Sequence, residues 1–413
     1  MKFSTVVILI IIFTSTTPMA LAASVRIRMP KGPVKPDSYI VMLKSSTNME
    51  DHIKSITQIS ARSPGSEFSI THRYGMLNGY SAHATGTSLA RILICPEVSY
   101  VEADGTTSIG YDLHGYDLHG YDHHERDATE HDNDGIKMED NLVELKERAD
   151  GRIVTVYSLD SGANLHHICF VSDEAQFSWG HTVTGTHGVD TFGAGTYIAA
   201  KAVGEGFSLP SLANLRVVKI TEDDEVAASD LIEGIEWVYT DSIESVAPQQ
   251  RGSPIIMICC HFLDYLAINE AVSWVINLGL HVVVCAGDHG VDAGQFGPAN
   301  VIGAITVGAV SASAATHQYV ISHSNYGKVI SVFAPGINIQ SAWNGPGLDA
   351  LMTLSGTAPA TAWVVSMLAC ILRRYGWMSP AELREALREH ARDVVTGQPP
   401  GSDTPGLLAT MWW

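Results

Sequence analysis

Two short stretches carry residue types at the spacing that chemistry needs. Ser355-Gly356-Thr357-Ala358-Pro359-Ala360-Thr361-Ala362 lies between an apolar strand-like run and an apolar helix-like run. A small-residue turn that opens a helix lets backbone N–H groups converge on one point, where a side chain can attack a carbonyl while the oxyanion is held beside it. Here the side chain at that point, on Ala358, is a methyl group. The second stretch, Leu159-Asp160-Ser161-Gly162, closes another apolar run. An aspartate at the carboxyl end of a buried parallel strand is where such a sheet places reactive groups.

The elements that must position these residues are legible as alternating patterns. Residues 153–159, 215–220, 255–260, 281–285 and 305–307 are nearly continuous apolar runs, as parallel strands covered on both faces require. Between them Leu231, Ile232, Ile235 and Val238, and then Ile268, Ala271, Val272, Val275 and Ile276, recur at helical spacing. Ser379-Pro380-Ala381-Glu382 predicts a capping box with proline at the first helical position. The expected fold class is α/β, with a doubly wound parallel sheet. Ahead of it, strand-like 38–44, helix-like 52–59, strand-like 80–84, helix-like 89–93 and strand-like 98–102 predict a small α/β sandwich on an antiparallel sheet.

Joining the two is a repeat, Gly110-Tyr111-Asp112-Leu113-His114 and two further copies ending at His124. A five-residue period matches neither a helix face nor a strand face, so we expect a solvated linker; the alternative is a weak transition-metal site of His and Asp.

With 413 residues, 46% of them hydrophobic, the chain can bury one large core and a second smaller one. Its 44 acidic against 25 basic residues give a net charge of -19, which repels phosphate backbones, so no nucleic-acid partner is expected. Lys2, the apolar run 6–13 and Ala20-Leu21-Ala22 predict a secretory signal, cleaved after residue 22. That run is too short to span a bilayer, and no later stretch is both long and uncharged, so an extracellular chain without a membrane anchor is expected. The six cysteines form no framework for a chain of this size, and Cys259, Cys260 and Cys285 fall in strand-like runs; no pairing is assigned.

Taken together these motifs resemble the subtilisin-like serine proteases, whose triad runs aspartate, histidine, serine along the chain. Asp160, with His167 and Phe170 downstream, is similar to the catalytic aspartate segment of proteinase K-like subtilases. Residues 190–200, Asp190-Thr191-Phe192-Gly193-Ala194-Gly195-Thr196 onward, resemble the family's aspartate-x-x-glycine-histidine-glycine-threonine-histidine helix start and place Ala194 where the general base stands. The loop at 355–362 resembles glycine-threonine-serine-methionine-alanine and places Ala358 at the nucleophile. Ala286-Gly287-Asp288 resembles alanine-glycine-asparagine, so Asp288 stands for the oxyanion donor. Cys259-Cys260-His261-Phe262 falls on the strand that pairs with substrate, where His261 and Phe262 are expected to fill or narrow the groove. Ser311 matches a calcium-ligating aspartate, so neither calcium nor another cofactor is expected. Thr306-Val307-Gly308-Ala309, Ser324-Asn325-Tyr326-Gly327 and Phe333-Ala334-Pro335-Gly336 look like family scaffold.

The smaller unit resembles the inhibitor I9-type propeptide of the same family, through Tyr39-Ile40-Val41, Leu77-Asn78-Gly79-Tyr80-Ser81-Ala82 and Pro96-Glu97-Val98. The expected organisation is a signal at 1–22, a propeptide unit at 37–105, a linker at 106–148 and a subtilisin-like domain at 149–413. Because a methyl group neither accepts nor gives a proton, the resemblance implies a secreted, inactive relative that keeps its propeptide bound and works, if at all, by binding a protein or peptide partner. Two alternatives stand beside it: a peptidase with rearranged residues, His187 with Ser355 or Thr357, and an inhibitor acting through the propeptide unit.

Overall fold

A computed structural model of the chain describes residues 24–109, 153–173, 175–209, 212–244, 252–313, 318–321 and 323–412. The signal at 1–22, the pentapeptide repeat and the expected linker from residue 110 onward lie outside the described residues.

The N-terminal unit contains β1 (Ile27–Arg28), β2 (Val34–Leu43), the helix Met49–Ser60, β3 (Phe68–Tyr74), β4 (Gly79–Ala84), the helix Gly86–Ile94 and β5 (Val98–Ser108). The sheet order is β1-β5-β2-β4-β3, with β2 antiparallel to both β4 and β5. Alternate residues of a strand face opposite sides. In β2, Val41 and Leu43 therefore pack with Ile53, Ile56 and Ile92 of the helices, while Ile40 and Met42 turn the other way into the core of the larger unit. Both faces are buried, and each such aliphatic side chain contributes about 1.5–3 kcal/mol.

This unit is longer than the expected 37–105. β2 begins at Val34 because a bulge absorbs Pro36, with the register shifting between Val34 and Tyr39 and Asp37 at φ 53°. At the other end β5 runs on to Ser108, held by β9 (Glu225–Ala227) of the larger unit.

The larger unit begins with β6 (Val154–Asp160), β7 (Phe177–Thr182), the helix Ala194–Val203, β8 (Asn214–Lys219) and the helix Ala228–Tyr239. Next come β10 (Ser253–Ile258), β11 (Phe262–Leu263), the helix Leu266–Asn277, β12 (His281–Cys285), β13 (Phe296–Gly297) and β14 (Ile305–Ser313). Then follow β15 (Gln318–Ile321), β16 (Val332–Pro335), β17 (Ile339–Ala342), β18 (Leu351–Leu354) and the helices Thr357–Tyr375 and Pro380–His390. The strands β16-β14-β12-β10-β6-β8-β7 form one sheet with every neighbouring pair parallel. β10 and β12 are buried along their whole length, as their nearly continuous apolar runs require. β7 was not legible from apolar runs: it lies at the sheet edge, is half-buried, and alternates polar with aromatic residues.

The helix Thr357–Tyr375 is apolar on nearly every side, and it packs against the helix Ala194–Val203 and across several core strands. The capping box at Ser379 and Glu382 forms as predicted. Among the described residues, no helix is long and apolar enough to cross a membrane.

Candidate active site and the segment that covers it

β6 has β8 on one side and β10 on the other, so the chain crosses from one half of the sheet to the other around it. The carboxyl end of such a strand is where open α/β sheets bind ligands. Asp160 ends β6 and is 2% exposed. Its Oδ1 accepts from the Ser161 N–H at 2.8 Å, and among the described residues no imidazole reaches it. Burial pushes its carboxyl up to about 7, with the nearby Asp190 adding to the rise and the Ser161 N–H opposing it.

Asp190 is the carboxylate that the local structure does satisfy. It accepts from the Gly193 N–H at 2.8 Å, the Thr196 N–H at 2.9 Å and the Ser161 hydroxyl at 2.8 Å, and so ties the start of the helix Ala194–Val203 to the end of β6. Gly193 precedes that helix at φ 105°, a conformation few side chains tolerate. Gly195 passes so close to Gly162 that a Cβ there would stand 2.0 Å from its carbonyl oxygen. Ala194, the first helical residue, is fully buried.

Ala358 is the second residue of the helix Thr357–Tyr375 and is also fully buried. Beside it the Asp288 carboxylate accepts from the Thr357 N–H at 2.9 Å and from the Thr357 hydroxyl at 3.0 Å. Asp288, which matches the position of the oxyanion donor, sits as an acceptor on the helix start, where negative charge is favoured. The Thr357 hydroxyl is further occupied by the Gly287 N–H at 3.1 Å. Ser355 accepts from the Asn338 N–H, and the exposed His187 pairs with the Thr182 hydroxyl at 2.8 Å and lies edge-on to Trp179. These three residues are therefore each engaged locally.

His261 and Phe262 are buried on the expected groove strand, and the His261 ring lies against Gly287, where an added Cβ would stand 3.1 Å from it. His261, 5% exposed, packs on Phe296 and meets His289 Nδ1 at 3.3 Å through its Nε2, while Phe262 pairs with Gly297. Burial, with His289 behind it, pushes His261 down to about 4. An extended segment of the chain itself lies in the groove: Thr106, Thr107 and Ser108 pair with Ala227, Val226 and Glu225, and Ile109 bridges antiparallel to Cys260. Cys259 and Cys260 are 2% exposed, and burial raises their thiols well above the ordinary range, so neither offers a thiolate. All six cysteines are unpaired. Ser311, in β14, pairs with Val320.

What holds that segment in place was missed in the sequence. β5 carries two acids into the larger unit. Glu102 accepts from the Leu266 N–H at 3.2 Å and the Ala267 N–H at 2.9 Å, capping one helix; Asp104 accepts from the Ser229 N–H at 3.0 Å and hydroxyl at 2.8 Å, capping another. The Tyr265 hydroxyl donates to the Ala103 carbonyl at 2.6 Å and accepts from the Gly105 N–H at 3.0 Å. Partners 125 and 165 residues apart leave no local signal; the only trace is two acids at i and i+2 on one strand.

Comparison with known proteins fits this architecture. The model described as Subtilase family matches residues 151–405, and that described as Peptidase inhibitor I9 matches residues 38–109. Subtilisin-like protease 1 of Pseudogymnoascus destructans is 29% identical over 97% of this chain and 97% of its own length. Alkaline protease 1 of Aspergillus clavatus is 29% identical over 95% of each. A cold adapted subtilisin-like serine proteinase superposes with a TM-score of 0.54 at 25% identity, covering 63% of this chain and 89% of its own. Fervidolysin from Fervidobacterium pennivorans shares the fold, with a TM-score of 0.66 at 18% identity over 94% of this chain and 62% of its own. The parallel sheet with its acid at the switch point, the propeptide-like sandwich laid across it and a family match spanning more than half of the residues lead to one conclusion: this chain belongs to the subtilase family and carries an I9-type propeptide unit ahead of its subtilase domain.

Proposed function

We propose that this chain is a secreted, catalytically inactive subtilase homologue whose propeptide unit stays docked and which acts by binding a protein or peptide partner. The observation that carries the proposal is the pair of buried methyl groups, Ala194 and Ala358, at the starts of the two helices that flank Asp160. Proton transfer and acyl attack both need heteroatoms there, and removing either group from such a unit costs about a millionfold in turnover. The Asp160 carboxyl, which no imidazole reaches among the described residues, and the acceptor role of Asp288 support the same reading. A rearranged peptidase built on His187 is disfavoured, since His187, Ser355 and Thr357 are each held by other groups.

An inactive domain cannot cut its own linker. Expressed in a host lacking endogenous subtilases, the mature protein should run as one species retaining the propeptide unit. Efficient cleavage between residues 105 and 152, lost in Asp160→Ala, would show self-processing and overturn the proposal.

A further inference from the structure

Far from the groove, the propeptide unit gathers three metal-ligating side chains that nothing in the docking or the subtilase fold uses. The helix Met49–Ser60, capped by Asn48, turns His52 inward with Ile53 and Ile56, leaving the imidazole 2% exposed. Cys95 ends the helix Gly86–Ile94, and Glu97 follows it across Pro96 in the turn into β5. Glu97 Oε2 lies 3.0 Å from His52 Nδ1 and 3.5 Å from Cys95 Sγ, and that sulfur is 3.7 Å from Nδ1. On the far side of the ring, Nε2 meets the buried Tyr80 hydroxyl at 3.1 Å.

We propose that His52, Cys95 and Glu97 form a zinc site. Zinc bound tetrahedrally by sulfur, nitrogen and oxygen holds its ligand atoms about 3.3–3.6 Å apart, close to the spacing already present. The chemistry of the set also balances. The thiolate and the carboxylate supply two negative charges against a divalent cation, and the imidazole binds neutral through Nδ1 while Nε2–H donates to Tyr80, which fixes ring and tautomer. Binding displaces the Cys95 thiol proton to solvent, with no redox change. The Glu97 side chain is 52% exposed, which provides an entry path and room for water as fourth ligand. The ion would pin the first helix to the turn that feeds β5, the strand bearing Glu102 and Asp104. The inference does not depend on whether the subtilase domain is active.

The test uses the full-length chain, reduced, stripped with chelator and titrated with cobalt(II) as the spectroscopic stand-in for zinc. A near-ultraviolet thiolate-to-cobalt band saturating at one equivalent is expected. It should vanish in Cys95→Ser and His52→Ala, persist in Cys370→Ser, and need about tenfold or more higher cobalt in Tyr80→Phe. Added zinc should raise the melting temperature of the wild type but not of Cys95→Ser. Should Cys95→Ser fail to fold, Glu97→Gln at the exposed ligand replaces it, with weakened binding expected. Absence of the thiolate band, its survival in Cys95→Ser, or binding indifferent to all these variants, as an ion on the pentapeptide repeat would give, overturns the proposal.

Discussion

Two buried aspartates in two regions of the molecule meet opposite fates. Asp104, on the strand that docks the propeptide unit, accepts from the Ser229 N–H, the Ser229 hydroxyl and the Ser38 hydroxyl. Asp160, at the head of the main sheet, has only Ser161 as its hydrogen-bonding residue among the described residues. Both are essentially out of water and burial raises both carboxyls, but at Asp104 the rise is opposed by Lys35 and by three hydrogen bonds. The acids of the docking surface are thus paired, whereas the site it covers keeps one acid that no imidazole reaches among the described residues.

The largest effect should come from placing a histidine and a serine at positions 194 and 358. In Ala194→His/Ala358→Ser, the Asp288 carboxylate would still stand where an oxyanion needs a donor. Adding Asp288→Asn, which can still cap the Thr357 helix, should raise acylation by a fluorophosphonate probe about a hundredfold over the double variant. Equal rates would show that Asp288 does not disturb that position.

Comparable in size is the pH dependence of Asp160. A carboxyl at about 7 when folded and near 3.9 when unfolded binds more protons in the native state between those values. Its contribution is therefore full below about pH 4 and is lost as pH rises through 7. Asp160→Asn should remove that slope and leave the variant more stable at pH 8, by about 4 kcal/mol at most. Chemical denaturation at pH 5 and pH 8 reads this difference, and a variant no more stable at pH 8 would contradict it.

Asp104→Ala tests the other half of the comparison. It leaves the buried Ser229 N–H without an acceptor at a cost of about 2–3 kcal/mol. With the linker nicked by an added protease, the two units should dissociate roughly 30- to 150-fold more readily, measured by their binding constant. His281 supplies a smaller effect of opposite sign. Neither of its ring nitrogens has a partner among the described residues, and burial pushes it down to about 4, so its contribution is full above pH 6.5 and lost as pH falls toward 4. His281→Val should gain about 2 kcal/mol at pH 5 and less at pH 8. Smallest is Ser355→Ala, which forfeits one bond from the Asn338 N–H, about 1 kcal/mol, and should leave any hydrolytic background unchanged.

The sheet was legible in the sequence because its central strands are buried on both faces, so β6, β10 and β12 appear as nearly continuous apolar runs close to their observed bounds. β7 escaped because an edge strand needs no such run. At the site, the types at 160, 194, 288 and 358 could be read directly, but what Asp288 touches could not. Its choice of the Thr357 N–H depends on a helix start 69 residues away. For His261, likewise, the position on the strand was clear, but its direction is set by Phe296 and His289, which approach from another loop. The capping acids Glu102 and Asp104, and the cluster of His52 with Cys95 and Glu97, are likewise made by packing between segments distant in the chain.

The most direct measurement is labelling of the purified, folded full-length protein with a fluorophosphonate probe, beside an active subtilase and a heat-denatured control. The account predicts no adduct above the denatured background by intact mass. A stoichiometric adduct on any residue of the native protein, abolished by Asp160→Ala, would contradict it.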